Sequence, residues 1–366
     1  MWACLQRSAW STEFQPYKDQ VASDGGVISV GQSIRVQGLG DPVLYFGDGP
    51  ESFQIVKAKV TSVDLPLKTW IGEATVQHTY STPSQSNGQA WVATFGGCCR
   101  DSDVKNRNAG YFNVSTSVVL PATGPSYSPI ISTLPRQMML GGVNSRAANS
   151  FIVAAYDHGK HPSSAPAGPR YRWEIKSQES PMLPLNIDSS TGQVWGLMHS
   201  CPTQAPSSAC LYAMRIAVID RGSGAMSEVD FEIEVLPSAV SDVMPRLVNE
   251  SGSAPLVSPL VNRVYSSYSY TYSVTFDGRG MELAGLQSSV LPTGALLGTM
   301  MPGGGDEFDT NMTWHVPGDL SWRVVCLQTY NSGTQAYRDK LNISLPIRSR
   351  QVCVDWSAMV DPAPEW

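Results

Sequence analysis

Thiols, imidazoles and carboxylates are where this chain could do chemistry, and their spacing decides which kind. The chain holds seven cysteines and five histidines. Cys98 and Cys99 are adjacent and follow the alternating run Trp91–Phe95, so a strand with one buried face leads through Gly96 and Gly97 into a pair of thiols. Cys201 and Cys210 flank a Pro/Ser-rich loop, and Cys326 and Cys353 flank two strand-like runs; each pair is read as a disulfide. Loops of this size stabilise a domain by about 2–4 kcal/mol when closed. Cys4, Cys98 and Cys99 then supply one further bridge and leave at least one thiol over, either free or used between chains; the alternative is that some of the seven are simply buried thiols.

Four Asn-x-Ser/Thr sequons, at Asn113, Asn249, Asn311 and Asn342, add potential N-glycosylation sites. Together with the disulfides they point to an oxidising compartment outside the cell. The first ten residues lack the apolar core of a signal peptide, so secretion implies numbering that begins after processing or inside a longer precursor.

His78, His158, His161, His199 and His315 show no zinc-ligand spacing, and His158 with His161 in a Pro/Ser loop reads as solvated. Calcium wants six to eight oxygens, whereas Asp157 is followed by His158, Gly159 and Lys160, so Asp157, Asp188, Asp220 and Asp277 read as turn residues. No G-x-S-x-G elbow occurs. Asp48 with Glu51, and Asp306 with Glu307 and Asp309, stand in Gly/Pro-rich turns where nothing apolar would raise a carboxyl pKa. Neither an enzyme nor a cofactor or metal site is expected. Tyr265, Tyr268, Tyr270 and Tyr272 could stack on sugar rings, but such a ladder is more often cross-strand packing.

The elements that carry these residues follow from composition. Charged residues make up only 15% of the chain, while 32 Gly and 26 Pro interrupt it, which favours short strands joined by turns over helices. A net charge of −6 offers no basic footprint for nucleic acid, and no apolar run is long enough to insert as a membrane-spanning helix. A length of 366 residues suits three sandwiches, at 1–122, 123–237 and 238–366. In the first, strands are expected at Ile28–Val30, Ile34–Val36, Val43–Phe46, Ile55–Val63, Ala74–Tyr80, Trp91–Phe95 and Tyr111–Leu120. Four prolines within residues 121–135 mark a stiff, extended connector.

In the second domain, strands are expected at Phe151–Asp157, Tyr171–Ile175, Leu185–Trp195, Met214–Asp220 and Val229–Val235, the last with Val229, Phe231, Ile233 and Val235 inward and its acids outward. The third domain repeats this plan, and its tail carries Val352, Val354, Trp356 and Met359, either to cover its own domain or to join the edge of a neighbouring copy.

Phe46-Gly47-Asp48-Gly49 followed by Val76-Gln77-His78-Thr79-Tyr80 resembles the FGDG and VTHTY signatures of PKD domains, an immunoglobulin-like extracellular family, although Leu44-Tyr45 stands where the family usually has a tryptophan. Gly97-Cys98-Cys99-Arg100 is similar to an element of PKD-like modules in secreted microbial proteins. The second domain, above all its Leu185–Gly196 hairpin, resembles cadherin-like, dystroglycan-type repeats. The resemblance implies an all-β chain of three tandem immunoglobulin-like sandwiches, with a structural part for His78. The expected function is that of an extracellular structural or adhesive protein, self-associating through edges or tails into a surface filament; a monomeric adhesin ectodomain binding glycans or protein is the alternative.

Overall fold

The computed structural model describes residues 29–35, 43–64, 69–85, 87–98, 104–106, 111–120, 128–134, 136–146, 149–156, 170–177, 183–199, 210–238, 244–248, 260–265, 269–280, 283–289, 291, 294–315, 323–331, 347–349 and 351–359. Among these residues the regular structure is β throughout, without an α-helix. Contacts divide the chain into two compact units: residues 1–131, 170–182 and 212–232, and residues 132–169, 183–211 and 233–366.

The first unit opens with β1 (Ser33–Arg35), β2 (Val43–Tyr45), β3 (Phe53–Ile55), β4 (Lys57–Asp64), β5 (Thr69–Glu73), β6 (Trp91–Cys98) and β7 (Tyr111–Val118). β1, β4 and β5 form one antiparallel sheet, with Ile34, Ala58 and Val60 buried on its inner face. A second sheet runs β7-β6-β2-β3, and its inward positions Leu44, Ala93, Phe95, Phe112 and Val114 form a core with Phe46, Val56, Val76 and Tyr80. The period-two pattern thus delivers a buried face where the sequence predicts one. Two expected strands differ. Val30 lies in a turn with Gly31 and is 65% exposed, and the strand expected over Ala74–Tyr80 is β5 instead, with Ala74–Tyr80 outside any ladder.

Next come β8 (Ile130–Ser132), β9 (Arg136–Gly141), β10 (Ser150–Ile152), β11 (Ala154–Tyr156), β12 (Tyr171–Ser177), β13 (Leu185–Ile187), β14 (Gln193–Gly196), β15 (Cys210–Asp220) and β16 (Met226–Pro237). Within the first unit, β12, β15 from Tyr212 on and β16 as far as Glu232 extend the β7 sheet. Thr116 Oγ1 donates to the Met226 carbonyl at 3.0 Å, and the Ser115 N–H donates to Glu228 Oε2 at 2.9 Å. Asn106, fully buried, accepts from the Ala213 N–H at 2.8 Å and donates to the Ala213 carbonyl at 2.9 Å.

In the second unit, β10, β14 and β13 form a three-stranded sheet whose hairpin turns at Asp188–Gly192. The run Phe151–Asp157 is therefore two strands interrupted at Val153, whose N–H donates to the Gly192 carbonyl at 3.0 Å. Of the expected connector, Ser128, Ser132, Thr133 and Leu134 are buried and β8 begins at Ile130, while residues 121–127 lie outside the described residues.

The chain then forms β17 (Arg246–Leu247), β18 (Leu260–Tyr265), β19 (Ser269–Asp277), β20 (Leu283–Ser288), β21 (Ala295–Leu297), β22 (Met301–Pro302), β23 (Glu307–His315), β24 (Arg323–Asn331) and β25 (Val352–Met359). One sheet runs β17-β19-β23-β21 with β22 also on β23, and the other runs β18-β25-β24-β20. Between them lie Leu247, Val274, Phe276, Leu283, Met312, Trp314, Val325, Leu327 and Val352. The tail is thus the interior strand β25, parallel to β18 and antiparallel to β24, and covers its own domain.

Candidate functional site

Three arrangements bring the chemistry-bearing residues together. The first is a corner of the first unit. Gly47 takes a left-handed φ of +84°, and a Cβ there would stand 2.4 Å from the Val92 carbonyl oxygen, so the turn after β2 requires glycine. That turn aims Asp48 at His78, with Oδ2 2.7 Å from Nε2. The His78 ring is stacked on Phe46 at 3.9 Å and meets Tyr80 edge-on at 4.6 Å. Tyr80 donates its hydroxyl to the Phe46 carbonyl at 3.0 Å and stacks on Trp91, whose Nε1 donates to the Thr82 carbonyl at 3.0 Å.

Burial pushes the Asp48 carboxyl up, but hydrogen bonds from Ser52 and His78 and the His78 charge outweigh it and leave the pKa below the usual range. Burial, followed by the Asp48 charge, drives the Tyr80 hydroxyl well above its ordinary value. An acid–imidazole pair is half of a hydrolytic relay, which also needs a nucleophile on the ring. Here the ring is packed by aromatic faces, and the pair ties the turn after β2 to the Val76–Tyr80 segment.

The second arrangement is a buried polar joint inside the second unit. Every side chain of β24 from Val324 to Asn331 is buried, so both faces of this strand are covered. One face meets the sandwich core through Val325 and Leu327. On the other, Ser132 Oγ donates to the Val324 carbonyl at 2.7 Å and bonds Ser289 Oγ at 2.8 Å. Gln351 Oε1 accepts from the Leu134 N–H at 3.0 Å and from Gln137 Nε2 at 2.8 Å, while its Nε2 donates to the Ile152 carbonyl at 2.7 Å. Arg348 and Glu234 form an ion pair here. That overturns the expected outward place of Glu234, which is buried in this joint; Glu232, in the first unit, is buried as well.

Cys326 and Cys353 are cross-strand neighbours on β24 and β25 and form a disulfide. Cys210 is disulfide-bonded as well. Cys98 ends β6, with its side chain outside the described residues, where Cys4, Cys99 and Cys201 also lie.

The third arrangement is on the sheet surfaces. Asn113 in β7 and Asn311 in β23 are exposed, while Asn249 and Asn342 lie outside the described residues. Asn113 stands opposite Gly96, and the Asn311 carbonyl accepts from the Gly298 N–H at 2.7 Å. Tyr270 and Tyr272 stand in register opposite Trp314 and Met312; their side chains, that of Tyr265, and Tyr268 lie outside the described residues.

The expected turn aspartates that are described each accept hydrogen bonds or pair with arginine. Asp188 accepts from the Ser190 hydroxyl at 2.6 Å and from Arg146 Nη2 at 2.9 Å, and Arg146 also lies over the Trp195 ring. Asp220 accepts from the Gly222 and Ser223 N–H groups and from Arg170 Nε, and Asp277 pairs with Arg246 and Arg279. Asp157, His158 and His161 lie outside the described residues. Among the described residues no group of three or more His, Cys, Asp or Glu is placed to hold a metal ion, and no helix is long and apolar enough to cross a membrane.

Sequence reasoning missed Glu234, Arg348, Gln351 and Ser132. None of them stands in a motif, and each acquires its role from the segment packed on β24.

Known proteins supply the remaining context. The solved structure of Drosophila N-cadherin EC1-3 is similar at 10% identity with a TM-score of 0.28, covering 91% of this chain and 94% of that one. Integrin beta-like protein E of Dictyostelium discoideum is 30% identical over 200 residues, which is 52% of this chain and 9% of that protein. Integrin beta-like protein A of the same organism is 30% identical over 214 residues, or 56% of this chain and 10% of that protein. This chain therefore spans about a tenth of the length of the curated relatives it matches. Residues 6–121 match the family described as Integrin beta-like protein A-E, N-terminal.

Proposed function

We propose that this chain is an extracellular adhesive segment whose β-sandwiches hold binding or assembly surfaces at fixed spacing. The observation that carries the reading is the match of residues 6–121 to the N-terminal family of the integrin beta-like proteins, whose name associates them with adhesion receptors. Two features of the chain support it. A disulfide joins Cys326 and Cys353, as suits an oxidising compartment. The double coverage of β24 makes that part of the second unit a stiff element rather than a hinge. In this reading the chain comprises three sandwiches, at 1–122, 123–237 and 238–366, makes no bonds and breaks none, and associates with further copies through sheet edges into a surface filament.

Two measurements test it. Antibody raised against the chain should stain intact, unpermeabilised cells, and beads coated with the chain should adhere to such cells where beads coated with reduced, unfolded chain do not. Staining only after permeabilisation would defeat the extracellular reading. Size-exclusion chromatography and negative-stain imaging at high concentration test the assembly half, and monomers alone would remove it.

A further inference from the structure

The geometry points to a cover for the exposed apolar surface of this protein: the N-linked glycans of Asn113 and Asn311, lying flat on the sheets that bear them. Among the described residues seven large apolar side chains are exposed, and six of them, Tyr45, Phe53, Ile55, Val92, Leu296 and Met301, stand on the two sheet faces that carry these asparagines. Such clusters on a soluble surface call for a partner.

On the first face, register aligns Ile55, Val43, Gly96 and Asn113 in one row across four strands. The next row on the same face is Phe53, Tyr45, Thr94 and Ser115. The Tyr45 and Phe53 rings lie 5.8 Å apart and are 47% and 49% exposed. At about 4.8 Å per strand, Val43 lies roughly 10 Å from Asn113, within reach of two N-acetylglucosamine rings laid over Gly96.

The second face repeats this design on a different sheet. Asn311 lies beside Gly298, and a Cβ on that glycine would stand 2.5 Å from Asn311 Oδ1. The outward neighbours along the same edge are Leu296, opposite Thr313, and Met301, opposite Asp309. In both places an exposed asparagine faces a glycine notch flanked by apolar side chains. Sugar rings present C–H faces that pack on apolar and aromatic groups and hydroxyl edges that suit the Thr and Ser rims, so the same saccharide core fits both faces.

The attachment forms a bond between the sugar C1 and the asparagine Nδ2. It breaks the C1–O bond to a lipid-pyrophosphate carrier, which leaves as the pyrophosphate, and the amide loses one proton. In the folded chain the Ser115 hydroxyl of that sequon bonds the Thr94 hydroxyl at 3.2 Å.

This inference rests on the extracellular reading, and one experiment separates the two. The full chain is secreted from a glycosylating eukaryotic host. Its sequons are mapped by glycopeptide mass spectrometry, and the folded protein is footprinted with hydroxyl radicals before and after enzymatic removal of N-glycans. Removal should raise the reactivity of Tyr45, Phe53 and Met301 about twofold or more, as ring and thioether area returns to water. Asn113→Gln should reproduce the rise at Tyr45 and Phe53 but not at Met301, and Asn311→Gln should do the reverse. Sugar on Asn249 or Asn342 with none on Asn113 and Asn311 overturns the inference and leaves the extracellular reading standing. Occupied sites with unchanged reactivity also overturn it. No sugar on any sequon overturns the inference too, while the extracellular reading stands or falls with the staining of intact cells.

Discussion

The guanidinium of Arg348 and the carboxylate of Glu234 face each other with their side chains 3% and 0% exposed, so the pair sits where almost no water reaches. Its value lies less in net attraction than in the cost of an unmatched charge.

Removing the carboxylate charge with Glu234→Gln leaves the Arg348 guanidinium buried without a counter-charge and should cost about 3–5 kcal/mol. The double variant Glu234→Leu with Arg348→Met should recover most of that loss. Urea denaturation at neutral pH reads both, and a single variant as stable as the native chain would show that the pair is not a part of the joint.

At the corner of the first unit, Tyr80→Phe removes only the hydroxyl that donates to the Phe46 carbonyl. The expected loss is about 1 kcal/mol, because the ring keeps its stack on Trp91. Gly47→Ala should cost more, at least about 2 kcal/mol, since the new methyl meets backbone rather than a movable side chain. Equal thermal midpoints for the two variants would contradict this ranking.

Both features measure how far the sequence alone reaches. The FGDG turn and the Trp91 strand were legible because a two-residue period and a glycine-dependent turn are local properties. The β13–β14 hairpin was legible for the same reason. Glu234 was not: its alternation with Phe231 and Ile233 reads as a solvated edge, and only Arg348, brought against it within the second unit, makes that edge interior. The split at Val153 was hidden because an unbroken apolar run carries no mark of a change of sheet.

Acid should weaken the fold through its turn aspartates. The Ser190 hydroxyl and N–H, with Arg146, hold the Asp188 carboxyl far below the ordinary range. Burial raises the Asp220 carboxyl, but the Ser223 N–H, Arg170 and the Gly222 N–H outweigh it and lower the pKa. A carboxyl with a depressed folded-state pKa stabilises the fold above its unfolded value of about 3.9, and that stability is lost as pH falls through the folded value. Urea midpoints should thus hold steady from neutral pH to about pH 5 and fall below about pH 4, and Asp220→Asn should flatten the acid limb. A midpoint insensitive to acid would refute this.

The Cys326 to Cys353 bridge closes a loop with a sequence separation of 27. Replacing both with Ser should destabilise the second unit by about 3 kcal/mol. Differential scanning calorimetry of the double variant checks this, with the transition that belongs to the first unit expected to stay in place.

The place of β25 sets the order of events when the chain is made. The strand that divides β18 from β24 is built from residues 352–359, so β18 waits for its mate until those residues have followed it, and β24 has only β20 beside it until then. Closure of that sheet is therefore a long-range step, slow in the way that distant pairings are slow. A nascent chain cut before Val352 would expose two open strand edges at once, so premature termination here yields a sticky product rather than a shorter working one.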